Sequence, residues 1–378
     1  MTSDPVGSPS SGGEHSIVAT PAHGSLDVLS PHAEINPKQT RPRRSLNMFA
    51  SLPETQEMRY EGDAMFDPSK TIVIANPAAR HGFVGENWPA LSARIRDALG
   101  PVDLQLTESR GDGLRLGREA TARGVRTVIS FGGDGTHSEV VDGIMQSELN
   151  KDVSLGILHA GTGGDFRRMI PGADELESAC AVIREKPSVP IDIGWVEYQH
   201  DDGHRESRFF LNITSMGMGG LVDRHVAASK SKSSGKAKYF KAVLAANMKY
   251  EPARIRLRVD GKDEGEHDIS NICVCNGRWA GGGMMFAPEG RLADGLFDII
   301  LIRTTSTLRG LPVMAGLYKG THVRSAIVDT FRGSHVQVEV LKNTAWMDID
   351  GEAPGVGPAE FRLHERALKV IGIGAEFI

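Results

Sequence analysis

Cysteine is scarce in this 378-residue chain, which holds only Cys180, Cys273 and Cys275. An odd number without metal-finger spacing excludes a disulfide framework and points to a reducing compartment. Cys273 and Cys275 lie two apart in a β-type run and so share a face, where two buried thiols are the plain reading and a metal pair the alternative. Long apolar runs are missing too: none approaches the roughly 18 residues of a spanning helix. The chain does not open on a basic segment followed by an apolar one, so secretion is not expected. The expected location is cytoplasmic, with peripheral contact at the inner face of the membrane as the one membrane role. Aromatics are 6% of residues and the net charge is only −5, too mild for a global field that would recruit nucleic acid. The patterns GxxxxGK[ST], HExxH, GxSxG and the protein-kinase HRD and DFG signatures are all absent, and Gly217-Met218-Gly219-Gly220 lacks the spacing of a dinucleotide fingerprint.

What is present falls into three regions. The first 53 residues carry seven of the 19 prolines and no aromatic before Phe49. Such a segment buries too little apolar surface to offset its ordering entropy, so residues 1–66 are expected to be a disordered tail. Its basic run Arg41-Pro42-Arg43-Arg44 suits anionic lipid, or plain solvation. From Thr71 short β-rich runs alternate with helical stretches: strands at 71–75, 102–106, 125–131 and 155–158, with helices at 88–99, 114–122, 138–145 and 175–184 between and after them. This βαβ rhythm predicts an open, largely parallel sheet covered by helices over residues 67–189. Beyond Pro190 the pattern turns strand-rich, at 191–198, 207–213, 254–259, 269–275, 297–302, 335–340 and 345–349, with helices near 239–249 and 308–318. That rhythm predicts an antiparallel β-sandwich domain over 190–378, its last segment a candidate to return to the first domain.

The sharpest local signal is SFGGDGTHSEVV at residues 130–141, where an apolar strand stops and a helical pattern begins. Glycines there let a backbone approach phosphate, and the following helix N-terminus offers unpaired N–H groups. Asp134 would repel a polyanion unless it holds a cation or water, or orients an acceptor hydroxyl. A second turn of the same kind, Gly161-Thr162-Gly163-Gly164-Asp165-Phe166, follows the 155–158 strand, and Asn76-Pro77 follows the first. Three strand ends with backbone-exposing turns at one sheet edge suit a nucleotide. Residues 229–250, SKSKSSGKAKYFKAVLAANMKY, place Tyr239, Phe240, Val243, Leu244 and Met248 on one helical face with lysines opposite. Such a face either meets an anionic bilayer or packs on the core.

Taken in order, these motifs resemble the diacylglycerol kinase catalytic family, whose wider group includes sphingosine and ceramide kinases, compact bacterial lipid kinases and, more distantly, NAD kinases. Asn76-Pro77 is similar to its Asn-Pro loop, Gly132 to Thr136 to its GGDGT signature, and Gly161-Thr162 with Asp165-Phe166 to its GTxNDF turn. Asn276-Gly277, Gly281 to Met284 and Ala287-Pro288 resemble its NG, GGGM and AP stretch; Asp294 to Asp298 and Ile349 to Glu352 resemble DGxLD and IDGE. Gly164, His159 and Ser138 stand where the family more often has asparagine, proline and asparagine.

The resemblance implies an α/β nucleotide domain joined to a β-sandwich, with ATP and Mg²⁺ as cofactors and a lipid at a membrane surface as partner. It implies that Asn76, Pro77, Thr107, Gly132, Gly133, Asp134, Gly135, Thr136, Glu139, Gly161, Thr162 and Asp165 form the nucleotide site. Asp134 would organise phosphates, metal or acceptor. Carbonyls of Arg291 and Leu296 with the Asp294 carboxylate would hold Mg²⁺, a hard ion suited to oxygen. Glu352 would be the general base toward the lipid hydroxyl, diacylglycerol or a related glycerolipid first and a sphingoid base or ceramide second. On residue pattern alone, Glu352 is equally an exposed turn glutamate and Asp294 part of a common Asp-Gly turn. An NAD kinase and a non-catalytic lipid-binding protein are the other readings.

Overall fold

Thr71 to Ala75 and Thr127 to Gly132 bury every residue, as strands covered on both faces must. A computed structural model describes residues 66–160, 164–228 and 250–378, all within one unit running from Arg59 to Ile378. The tail with its Arg41 to Arg44 run, the turn residues Gly161 and Thr162, and the basic helical stretch through Lys249 lie outside the described residues.

In the first half, β1 (Thr71–Ala75), β2 (Asp103–Leu106), β3 (Thr127–Gly132) and β4 (Ser154–His159) pair in parallel in the order β4, β3, β1, β2. The helices between them are α1 (Phe83–Glu86), α2 (Trp88–Leu99), α3 (Asp112–Ala122) and α4 (Asp134–Met145), and α5 (Leu176–Glu185) follows β4. The helix predicted from Ser138 thus starts four residues earlier, at Asp134. Gly133 is extended, and its carbonyl accepts from the His137 amide at 3.1 Å, so the GGDGT turn is itself the first helical turn. Helices α3 and α4 cross closely because a Cβ on Gly143 would sit 2.1 Å from the Leu114 carbonyl oxygen.

The second half is antiparallel: β5 (Ser188–His200), β6 (Arg205–Phe210), β7 (Ile213–Gly217), β8 (Ala253–Val259), β9 (Lys262–Cys275), the short pair β10 (Trp279–Ala280) and β11 (Met284–Met285), then β12 (Phe297–Arg303), β13 (Val328–Gly333), β14 (His335–Lys342), β15 (Met347–Ile349) and β16 (Gly355–Ile371). The strand expected over 207–213 breaks after Phe210, because the amides of Leu211, Asn212 and Ile213 turn to the Asp350 carboxylate. Among the described residues two helices interrupt the strands, α6 (Met218–Ala228), which the glycine-rich run at 217–220 does not suggest, and α7 (Thr307–Leu317).

Strand β16 joins the halves. It runs antiparallel to β5 and β14, and its end lies parallel to β4, with Lys369 opposite Ser154 and Val370 opposite Leu155. The α/β core accordingly takes in Leu368, Val370, Ile371 and Phe377 from the chain's end, while a separate cluster around Phe210, Phe297 and Phe361 fills the sandwich.

Candidate functional site

Register brings the strand ends together. Ala75 pairs with Leu106 on one side and Phe131 on the other, and Gly132 pairs with His159, so the segments after β1 to β4 leave one edge. This is the carboxyl edge, where open α/β sheets take ligands. Asn76 ties two of these segments: its amide nitrogen donates to the Thr136 hydroxyl at 3.0 Å, while its side-chain oxygen accepts from the Ala78 amide at 2.9 Å. Gly132 has no room for a side chain, since Thr136 Oγ1 would stand 2.5 Å from its Cβ.

A cleft of about 410 Å³ opens there, lined by Asn76, Pro77, Thr107, Gly133, Gly135, Thr136, Glu139 and Glu352. Eight sequence-predicted residues from four separate segments therefore meet at one place. The volume lies within the range of roughly 300–1,000 Å³ typical of small-molecule sites. First-turn amides of α4 lack intrahelical acceptors, so Gly135 and Thr136 present an anion-binding helix end to the cleft. Glu139 lines the cleft and also caps the start of α3, its carboxylate accepting from the amides of Gly111 and Gly113.

Glu352 comes from the other half. A Cβ on Gly135 would lie 3.7 Å from Glu352 Oε1, so the carboxylate stands directly over the GGDGT turn. Its placement is built by Asp350, which is buried, adopts φ +49° and accepts three amides at 2.8 to 3.0 Å from Leu211, Asn212 and Ile213. Burial pushes the Asp350 carboxyl up to about 6 against those amides and the Ser138 hydroxyl, which reaches it from α4. Asp142, one turn further along α4, accepts the Phe209 amide at 3.0 Å, a second tie between helix and sandwich. Two arginines then grip Glu352: Arg208 at 3.1 Å and the exposed Arg110 at 3.2 Å. Neither arginine, nor Asp350 as a clamp, carried a local sequence signal. Their partners are 144 and 137 to 139 residues away for the Arg208 and Asp350 hydrogen bonds, respectively.

Asp134 points away from this cleft toward the second glycine turn. Its Oδ2 accepts the Gly164 amide at 3.2 Å, and its Oδ1 is buried without a partner among the described residues. Beside it Asp165 is buried; desolvation first, and the Asp134 charge after it, raise its proton affinity, while the Gly282 amide at 2.8 Å opposes them. Two adjacent carboxylates with an orphaned oxygen are a donor set that fits a hard dication. The expected trio of Arg291, Asp294 and Leu296 is differently disposed. Asp294 pairs with Arg332 and accepts the Leu296 amide, and Arg332 also reaches Asp298 at 3.2 Å. In this arrangement the Asp294 carboxylate is shared with the Arg332 guanidinium.

His137 and His159 lie behind the turn with ring centroids 5.8 Å apart. Burial, then the neighbouring His159, holds His137 far below the usual imidazole range, and its Nδ1 bonds to Ser130 at 2.8 Å. His159 also explains one departure in the glycine turn. Gly164 has φ +65°, and a Cβ there would fall 2.8 Å from His159 Nε2, so the imidazole fills the space an asparagine would need.

Comparison with known proteins agrees with this geometry. Residues 70–196 match the diacylglycerol kinase catalytic domain, and residues 212–372 match the YegS C-terminal NAD kinase beta sandwich-like domain. A Chromohalobacter salexigens protein named "Probable lipid kinase YegS-like" is 32% identical over 68% of this chain and 80% of its own. A diacylglycerol kinase of Mycobacterium tuberculosis is 29% identical over 80% of this chain and 94% of its own. The solved structure of a Bacillus anthracis protein assigned as a diacylglycerol kinase superposes with a TM-score of 0.65 at 20% identity, covering 84% of this chain and 99% of that one, which establishes the shared fold. The chain belongs to the diacylglycerol kinase catalytic family, among the lipid kinases of the YegS-like kind.

Proposed function

We propose that this protein transfers the γ-phosphoryl group of ATP to a hydroxyl of diacylglycerol or a related glycerolipid. The observation that carries the reading is the position of Glu352, presented by the sandwich 3.7 Å from the Cβ position of Gly135 in the phosphate-type turn. In this reading Asn76, Thr107 and the amides of Gly135 and Thr136 bind and orient the nucleotide. Glu352 takes the proton from the lipid hydroxyl as its oxygen bonds to the γ-phosphorus and the bond to the ADP oxygen breaks. Arg208 and Arg110 pair with Glu352, and a polyanion entering the cleft competes for both guanidinium groups and frees the carboxylate. Asp134, with Asp165 beside it, is the place the donor set offers to Mg²⁺, which when bound supplies neutralising charge for the phosphates. No step is assigned to Arg291, Asp294 and Leu296.

Among the described residues no helix is long and apolar enough to cross a membrane. The test is labelled ATP with three acceptors in parallel: dioleoylglycerol in anionic vesicles, ceramide or sphingosine in the same vesicles, and NAD. Labelled phosphatidic acid supports the reading; label in a sphingolipid moves the substrate class; label in NAD, or no product with any acceptor from a total lipid extract, overturns it.

A further inference from the structure

Away from the cleft, the β5–β6 hairpin turns through His200-Asp201-Asp202-Gly203-His204, with Gly203 at φ +93°. The turn returns the chain so that the two imidazoles face one another, their centroids 4.8 Å apart. Nε2 of His200 and Nε2 of His204 each lie 4.0 Å from the same carboxylate oxygen, Oε2 of Glu206. One potential ligand atom from each of the three residues falls within 4.8 Å of the others. The opposite nitrogens converge as well: Nδ1 of His200 is 3.2 Å from Asp202 Oδ1, and Nδ1 of His204 bonds to that same oxygen. The Asp202 amide is farther from His200 Nδ1, at 3.5 Å, so the carboxylate is the stronger partner. It draws the ring proton of each histidine onto Nδ1 and leaves each Nε2 with its lone pair turned toward Glu206.

That division of labour is the one metal sites use, with neutral imidazole nitrogens and a carboxylate inward and a second carboxylate outside fixing the tautomer. We propose that His200, His204 and Glu206 form a binding site for a borderline divalent transition ion of the zinc class, with Asp202 as its outer-shell orienting carboxylate. Two histidines and one carboxylate leave a fourth position of a tetrahedron open to water. Bonds of about 2.0–2.2 Å set tetrahedral ligand atoms roughly 3.3–3.6 Å apart, so the three atoms must draw together by about half an ångström to somewhat over one. The residues are intermediate to exposed and sit at a hairpin tip, so rotamer adjustment suffices. Hard ions are disfavoured by the two imidazoles. The site is independent of the kinase reading, although Glu206 also stands 3.7 Å from Arg208, the arginine that grips Glu352.

The test is titration of the full-length chain, made without a polyhistidine tag, with Zn²⁺ against a chromophoric competing chelator, and with Mg²⁺ as the contrasting ion. Tight binding of Zn²⁺ and none of Mg²⁺ at this site is expected. His200→Ala with His204→Ala should weaken it at least about 100-fold, and Asp202→Asn about 10–100-fold, the usual effect of losing an outer-shell partner. The histidines His15, His23 and His32 of the tail provide an internal control, because His15→Ala, His23→Ala and His32→Ala together should leave the tight site unchanged. Failure of Zn²⁺ to bind, or equal affinity in the His200→Ala, His204→Ala protein, overturns the site.

Discussion

The two halves of the molecule place functional groups by different means. In the α/β half, parallel register alone lines up the ends of β1 to β4, so each turn needs only the right residues immediately after its strand. In the strand-rich half, Glu352 reaches the same cleft through Asp350, whose three amide partners lie 137 to 139 residues away, and through Arg208, 144 residues away. The first arrangement is local and robust to distant change. The second is a chain of buried polar contacts in which each missing partner leaves an unsatisfied group.

This difference also explains how legible each half is. Short apolar runs and glycine turns at strand ends identify the parallel half, and even its helix starts are misplaced by only a few residues. The return of the last segment to the first domain is expected from the sequence, but β16 itself is hard to read as a strand, because Arg362, His364, Glu365 and Arg366 interrupt its apolar pattern and its pairing with β5 shifts register twice. The cleft residues Asn76, Pro77, Thr107, Gly133, Gly135, Thr136 and Glu352 were readable from motif order; Arg110, Arg208 and the Asp350 clamp were not, because ion pairs and amide clamps depend on tertiary closure and leave no spacing in the sequence. Asp294 shows the converse, since the family resemblance implies a metal there while Arg332, 38 residues on, pairs with its carboxylate.

The comparison can be broken most severely at Asp134. Asp134→Asn should lower turnover by about 10²–10³, the usual cost of a positioned electrostatic group, while thermal melting moves by only a few degrees. Retention of more than about a tenth of the activity would remove Asp134 from the phosphate and metal chemistry. Next, Asp350→Ala should destabilise the fold by about 3 kcal/mol or more, since three buried amides lose their acceptor. Turnover measured below the melting transition should fall as well, whereas a cut in a local turn such as Pro77→Ala should leave stability nearly unchanged. Denaturant titrations of both variants sharpen the contrast between clamp and strand end.

A smaller effect concerns pH. Burial raises the proton affinity of both Asp348 and Asp223, and the Asp223 charge raises that of Asp348 further; Asp350 is raised by burial to about 6. In the unfolded chain these carboxyls ionise near their ordinary value of 3.8. Between that value and the raised ones the folded state holds more protons, so this contribution to stability is full below about 4 and is lost as pH rises through the folded values. Asp223→Asn should therefore stabilise the protein by about 1 kcal/mol at pH 8, leave it little changed at pH 4, and flatten the pH profile between. An effect of similar size is expected at the second turn. Gly164→Asn places a side chain against His159 at positive φ and should cost about 1–2 kcal/mol, relieved in part by adding His159→Ala.

The central claim is that the sandwich lends its carboxylate to a phosphate site built by the other half. Glu352→Gln keeps the size and hydrogen bonding of the side chain and removes its ability to accept a proton. Steady-state turnover on diacylglycerol vesicles, measured beside calorimetric binding of ATP with Mg²⁺, should show kcat reduced by about 10²–10⁴ with the nucleotide affinity kept. A Gln variant that turns over at the wild-type rate, with ATP bound as before, would contradict the claim that the two halves share one active site.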